Sequence, residues 1–249
     1  MKNGLVPAAV VIGILFVGVA PSVAQDAAAP PPKDWTTTAG VGFAMTSGNS
    51  DTSTFNANYS LTYDPKRRNI VKSDGLYIRG ETEGARSSDR LALNVRDEYR
   101  LNARAYVFGQ NQYLRDVFKE IDYLVAPTGG VGYKLVDSDA TKLSVDTGLG
   151  VVWERNPGFD LSTSGAVTMD EKFSHVLSAT TTLTQSVGAL WKTKDFDDAL
   201  YQVGAAIAVA MSTHTQLKLG ALSTYKNKPP TPDIEKNDVS VIVAFVFKN

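Results

Sequence analysis

From Trp35 onward, apolar and polar residues alternate along the chain in segments of about 10 to 13 residues. In the clearest segment, residues 55–63, every odd position is apolar or aromatic and every even position is Asn, Ser or Thr. Alternation with a period of two predicts strands that have one apolar and one polar face. Strands of this length cross a bilayer when they are tilted.

Twelve such segments follow one another, and the third and sixth are predicted to be interrupted at Asp74-Gly75 and at Pro127 with its nearby glycines. The connections expected to be tight are 64–68, 102–103, 137–140, 174–177 and 212–214. Those expected to be longer are 81–88, 156–164, 192–198 and 226–236. Short periplasmic turns and longer outer loops are typical of outer-membrane barrels. The sequence therefore predicts an all-β, up-and-down antiparallel transmembrane barrel of about 12 strands over residues 35–249.

Aromatic residues gather near the ends of these segments, as expected for two girdles at the headgroup level of a membrane. We expect Trp35, Tyr63, Tyr99, Tyr106, Phe173 and Phe247 near the periplasmic rim. We expect Tyr123, Trp153, Trp191, Tyr201 and Tyr225 near the outer rim.

The first 24 residues have the layout of a secretory signal peptide: a basic residue, an apolar stretch and small residues before a cleavage point. We expect cleavage before Gln25, and an uncleaved anchor helix is the alternative. Residues 25–34 are rich in alanine and proline, which predicts an extended periplasmic leader. An exported barrel would lie in the outer membrane of a Gram-negative bacterium.

Composition excludes several classes of function. The chain has 25 basic and 26 acidic residues, so nothing in its charge indicates a nucleic-acid partner. It has no cysteine, which excludes disulfides and thiolate metal sites. The mean hydropathy is slightly negative, which fits strands whose alternating faces cancel in any average.

Catalytic chemistry is sparse in this sequence. Both histidines, His175 and His214, are expected in short periplasmic turns, away from the outer leaflet on which a barrel hydrolase would act. The sequence contains neither a G-x-S-x-G elbow nor an H-E-x-x-H zinc motif. The glycines around 129–132 lack the ending of a phosphate loop and are better explained by crowding inside a barrel. We expect no enzyme activity, cofactor or metal.

Charged residues on the polar faces are the better functional candidates. Seven of them are expected to point into the lumen: Arg96, Glu98, Arg100, Arg115, Asp146, Glu154 and Lys218. They would either line a polar path through the barrel or pair with one another and close it.

Three stretches resemble the YdiY-type salt-induced outer-membrane protein family. They are residues 47–52 (SGNSDT), the run from Tyr99-Arg100-Leu101 to Tyr133-Lys134-Leu135, and residues 143–150 (LSVDTGLG) leading to Trp153-Glu154-Arg155. The resemblance implies an outer-membrane β-barrel linked by name to salt or osmotic stress. The molecular activity of that family is not established, so the resemblance assigns no site residues.

The leading hypothesis is a non-enzymatic outer-membrane barrel that acts as a narrow pore or as an envelope protein of salt stress. The alternatives are a barrel that binds or transports a solute or lipid, a soluble periplasmic binding barrel and, least favoured, a membrane-embedded hydrolase. The expected partners are outer-membrane lipid and the barrel-assembly machinery, and the sequence leaves the oligomeric state open.

Overall fold

The computed structural model describes residues 34–46 and 52–249, and the predicted signal peptide and most of the leader lie outside these residues. The described chain forms twelve antiparallel strands closed into a barrel in which each strand pairs with its neighbours in sequence and the last pairs with the first. The predicted fold is confirmed. Among the described residues, no helix is long and apolar enough to span a membrane.

Each strand holds 12 to 17 residues. The strands are β1 Trp35–Thr46, β2 Thr52–Tyr63, β3 Asn69–Thr82, β4 Ala85–Arg100, β5 Ala105–Asp116, β6 Ile121–Asp137, β7 Thr141–Arg155, β8 Ser162–Val176, β9 Thr181–Lys192, β10 Asp195–Ala210, β11 Thr215–Lys226 and β12 Asn237–Lys248. One turn of 3-10 helix, η1 (Val117–Lys119), lies between β5 and β6.

Burial follows the alternation of the sequence. In β7, Asp146, Val152 and Glu154 are buried, while Leu149 is 69% exposed on the opposite face. The exposed side carries a belt of large apolar residues from every part of the barrel, including Phe43, Val95, Val131, Leu149, Met169, Leu219 and Val241. The buried side faces the lumen and carries charged side chains, among them Arg96, Asp146 and Glu154.

An even number of strands places both ends of the barrel segment at one rim, which we name the terminal rim; the other is the far rim. The turns at the terminal rim are 64–68, 101–104, 138–140, 177–180 and 211–214. At the far rim, the prediction of a long loop is wrong for two connections. β3 and β4 are joined by the two-residue turn Glu83-Gly84, and β9 and β10 by the two-residue turn Thr193-Lys194. Glu83 and Gly84 both have positive φ, as a primed hairpin turn requires.

The two predicted interruptions are also wrong, and each has a local reason. β3 runs through Gly75, where an added Cβ would lie 2.4 Å from the ring of Tyr59, so the glycine makes room for that ring. β6 runs through Pro127, and the β6–β7 ladder skips Ala126 and Pro127, since proline has no N–H to donate.

Aromatic rings contact one another near the rims on the outer face. Trp35 and Tyr63 lie 4.5 Å apart between ring centroids at the terminal rim, and Trp191 donates a hydrogen bond to Tyr201 at the far rim. Tyr106 departs from the prediction, because its side chain is buried in the lumen and not placed in a girdle.

The seam between β1 and β12 is the shortest ladder of the barrel. It pairs four positions, from Thr38 with Lys248 to Val41 with Phe245, whereas β1 pairs with β2 at twelve. Beyond Val41, the carbonyl of Val243 accepts a hydrogen bond from the Asn56 side chain on β2. That carbonyl lies 1.8 Å from where a Cβ of Gly42 would be, so only glycine permits this approach.

Disulfide formation between introduced cysteines can test where the β1–β12 ladder ends, because the chain has no native cysteine. Ala39→Cys with Phe247→Cys should form a disulfide on oxidation, because these residues are ladder partners. Phe43→Cys with Val243→Cys, the next outward pair if the register continued, should form one much more slowly. Equal yields, read as mobility shifts on gels, would show that the seam is zipped along its length.

Candidate functional site

The lumen-facing charges form two groups, one nearer the terminal rim and one nearer the far rim. The first is centred on Arg96, whose side chain is 1% exposed. The second is centred on Glu154, whose side chain is 2% exposed. Charges buried this deeply need partners, because desolvation of an unpaired ion costs several kcal/mol.

Glycines on β6 and aromatic rings on β5 form the surroundings of the Arg96 side chain. Glycines at 130 and 132 on β6 leave room for the rings of Phe108 and Tyr106 on β5, since an added Cβ would lie 2.8 Å and 2.2 Å from those rings. The Arg96 guanidinium lies 3.7 Å from the Phe108 ring centroid, a cation–π contact. The glycine-rich stretch therefore relieves crowding, as the sequence suggests.

Arg96 is then fixed by polar partners. It donates hydrogen bonds to Glu98 and Asp146, both at 2.8 Å, and to the side-chain oxygen of Gln110 at 2.8 Å. Lys72 donates to the second carboxylate oxygen of Glu98 at 2.7 Å. β4 and β7 are not neighbours, so the Arg96–Asp146 bond passes through the barrel interior.

The Glu154 group connects four strands near the far rim. Glu154 on β7 forms one ion pair with Lys192 on β9 and one with Lys226 on β11, both at 2.7 Å. Asp198 contacts both lysines as well. Three strands separate β7 from β11, so the Glu154–Lys226 pair bridges the lumen.

Two further bridges cross at this level from residues that sequence reasoning missed. Arg90 on β4 donates hydrogen bonds to Asp116 at 3.0 Å and to Thr224 on β11 at 2.8 Å. Lys119, fully buried in η1, pairs with Asp238 on β12 at 2.9 Å. Arg90 has the lumen-facing parity of Arg96, a signal that could have identified it.

Loops complete the closure at the far rim. The Lys119 ammonium also donates to the backbone carbonyl of Glu235 in the β11–β12 loop. Thr231 of the same loop donates to the Glu120 carboxylate, and Asn156 of the β7–β8 loop donates to the Glu120 carbonyl. Three connections thus meet over the mouth of the barrel.

An apolar cluster fills part of the lumen in the far half. Its buried members come from strands β5 to β10: Leu114, Ile121, Leu124, Ala126, Val152, Ala166, Leu190 and Leu200. Apolar side chains packed inside a barrel leave no continuous path for hydrated ions along that wall.

The remaining predicted lumen residues lie elsewhere. Arg100 lies at the terminal rim, where it donates to Asp64 at 2.6 Å and to the Arg67 carbonyl. The prediction that Arg115 points into the lumen is wrong. Its ladder partner is the outward-facing Leu91, and it forms an ion pair with Asp89 at 3.1 Å on the outer face. Its parity is opposite to that of the buried Leu114 and Asp116, so it cannot line the lumen.

Lys218 lies in the lumen apart from both groups. It lines a cavity of about 460 Å³ that also borders Asp74, Asp170 and Lys172. Among the described residues, no carboxylate forms an ion pair with it.

The histidines do not form a catalytic arrangement. His175 lies in β8 and not in a turn as predicted, and its ring bonds to Thr141 at 2.8 Å. His214 lies in the turn before β11, where it bonds to its neighbour Thr213. Within the described residues, no cluster of three His, Asp or Glu side chains is arranged to hold a metal ion.

The fold defines the class of protein: a closed, 12-stranded antiparallel barrel, as found in outer-membrane proteins. The chain belongs to the DUF481 family, described as a protein of unknown function, which matches residues 39–248. No curated protein matches the chain in sequence.

Solved structures with a similar fold are outer-membrane proteins. The COG4313 outer membrane channel from Pseudomonas putida F1 aligns with a TM-score of 0.50 and 13% identity, covering 89% of this chain and 97% of that one. The translocator domain of the autotransporter NalP from Neisseria meningitidis gives a TM-score of 0.47 and 9% identity over 87% and 88% of the two chains. The KdgM porin gives 0.45 and 6% over 86% and 96%.

Replacement of Arg96 tests the central ion group. Arg96→Gln should lower the free energy of unfolding by about 3–5 kcal/mol, because it leaves Glu98 and Asp146 buried without their guanidinium. Arg79→Gln, which breaks the exposed pair with Glu81, is the matched control and should leave the free energy of unfolding essentially unchanged, because solvent screens that pair. Denaturant unfolding in detergent measures both, and equal losses would contradict a buried network.

A pH dependence is expected at the terminal rim. Partial burial alone would raise the pKa of Asp64, but hydrogen bonds from Arg100 and Lys66 outweigh it and lower that pKa below its ordinary 3.8. A lowered carboxyl pKa stabilises the folded state above the unfolded pKa, and this stability is lost as the pH falls through the folded pKa.

Asp64→Asn should therefore destabilise the barrel at pH 7 by less than about 1 kcal/mol, since solvent screens this pair. The difference from wild type should shrink as the pH falls below 3.8 and vanish below the lowered pKa of the folded state. A difference that persists unchanged at low pH would assign the effect to the turn's hydrogen bonds and not to charge.

Proposed function

We propose that the protein is a non-enzymatic outer-membrane barrel whose lumen is sealed at rest. The observation that carries this proposal is the set of bonds between non-neighbouring strands in the far half of the lumen. Arg90 with Thr224, Glu154 with Lys226 and Lys119 with Asp238 join opposite walls. An open porin would leave these walls separated by water.

Membrane insertion is supported by the outer surface. Its exposed apolar belt would be costly in water but fits the hydrocarbon core of a bilayer, and a closed sheet leaves few unpaired backbone groups there. This favours the outer membrane over a soluble periplasmic barrel. In this proposal residues 1–24 are a cleaved signal peptide, residues 25–34 a leader, and the terminal rim is periplasmic.

The finer role is part of the same proposal. A barrel closed by internal charge pairs suits an envelope protein whose closure responds to ionic conditions, which agrees with the resemblance to the YdiY-type salt-induced family. A hydrolase is not supported, because in the described residues each histidine ring bonds to a threonine hydroxyl at the terminal rim and to no carboxylate that would orient it as a general base. Lipid and the barrel-assembly machinery are the expected partners.

Planar-bilayer recording tests the proposal. The purified barrel should first migrate faster on gels before boiling than after, as closed barrels do. Wild-type protein should then give no steady conductance, because the far half of its lumen is bridged and filled. A stable open pore in wild type would overturn the proposal.

Matched double variants locate the seal. Leu190→Ser with Leu200→Ser changes ladder partners of the buried apolar cluster and should produce channel openings. Val187→Ser with Val203→Ser changes ladder partners on the exposed face of the same two strands and should remain silent.

A further inference from the structure

The lumen is filled on one side and hollow on the other. Strands β4 to β7 contribute large side chains such as Arg96, Tyr106 and Phe108. Strands β9 to β11 contribute small ones to the cavity wall, including Gly188, Gly204, Ala206 and Gly220. The cavity of about 460 Å³ lies against this small-residue wall and is large enough for a small solute.

Lys218 supplies a positive charge to the small-residue wall of the cavity. Its ladder partners are Ala208 and Ala244, so neither neighbouring strand supplies a carboxylate beside it. The other lumen-facing charges on β9 to β11, Lys192, Asp198 and Lys226, are occupied in the Glu154 group, and Asp238 on β12 pairs with Lys119. A partly buried ammonium without a counter-ion favours binding of an anion from solution.

Unpaired polar atoms line the same cavity. Within the part of the chain that the structure describes, four buried atoms have no hydrogen-bond partner: Asn94 Oδ1, Gln110 Nε2, Thr168 Oγ1 and Asp170 Oδ2. They include donors and acceptors, and buried polar groups normally find partners. A hydroxyl group can donate and accept, so several hydroxyl groups of one solute could pair with all four atoms. They could also donate to the Asp170 carboxylate, which would repel a second anion.

We propose that this cavity binds a small solute that has one carboxylate and several hydroxyl groups, with the carboxylate on Lys218. The hydroxyl groups hydrogen bond to the unpaired atoms on β4, β5 and β8. The inference rests on the proposed sealed barrel, because a wide open lumen would not confine a small solute.

The test uses the purified barrel in detergent and three probes at matched ionic strength: sodium gluconate, sodium acetate and the neutral sorbitol. Gluconate carries both features, sorbitol has the hydroxyls without the carboxylate, and acetate has the carboxylate alone. By calorimetry, gluconate should bind wild type at least tenfold more tightly than sorbitol or acetate.

Variants assign the binding to the cavity. Lys218→Gln should lower gluconate affinity at least tenfold, to the level of sorbitol, whereas Lys218→Arg should retain it. Lys142→Gln, which removes a lysine near the terminal rim, is the charge-matched control and should bind as wild type does. The gel shift on boiling shows whether each variant is folded.

Gluconate binding that survives Lys218→Gln, or a folded wild type that binds none of the probes, would overturn the inference. A folded wild type that remains silent in planar bilayers but binds no gluconate would overturn the solute site alone. An open wild-type pore would instead overturn the proposed function.

Discussion

A closed sheet of twelve strands leaves an interior in which a deeply buried charged side chain needs partners of opposite charge. Water is scarce there, and desolvated ions are tolerated only when they are paired and hydrogen bonded. Arg96 and Glu154 meet this requirement with two or more opposite charges each. Because Asp146, Lys192 and Lys226 lie on strands that do not neighbour those of Arg96 and Glu154, this pairing also ties the walls together.

The same constraint explains the asymmetry of the lumen. Glycines on β6 leave room for two aromatic rings of β5, and one of those rings contacts the arginine that binds Asp146. Bulk on this side is balanced by small residues on β9 to β11, which leave the cavity beside Lys218. The filled side gives the barrel its internal support, and the hollow side is the part available to a solute.

Period-two alternation identifies the strands because inside and outside differ in every membrane-sized barrel, and this signal is independent of partner strands. Loop lengths were harder to predict: Glu83-Gly84 forms a tight hairpin within a polar stretch that reads as a loop. Lumen bridges such as Arg90–Thr224 join residues 134 positions apart in sequence, and they depend on how far each strand is shifted along its neighbours. Arg115 was misplaced because charge alone does not assign a face near a rim, where polar residues are tolerated on both sides.

Two-sided labelling of a lumen cysteine tests the seal most directly. Ser186 is exposed in the cavity, and the chain has no native cysteine to compete with a Ser186→Cys variant. In oriented proteoliposomes, an impermeant maleimide added at the terminal rim should label this position, and the same reagent added at the far rim should not. Equal labelling from both sides would show that the far half of the lumen is open and would contradict the account.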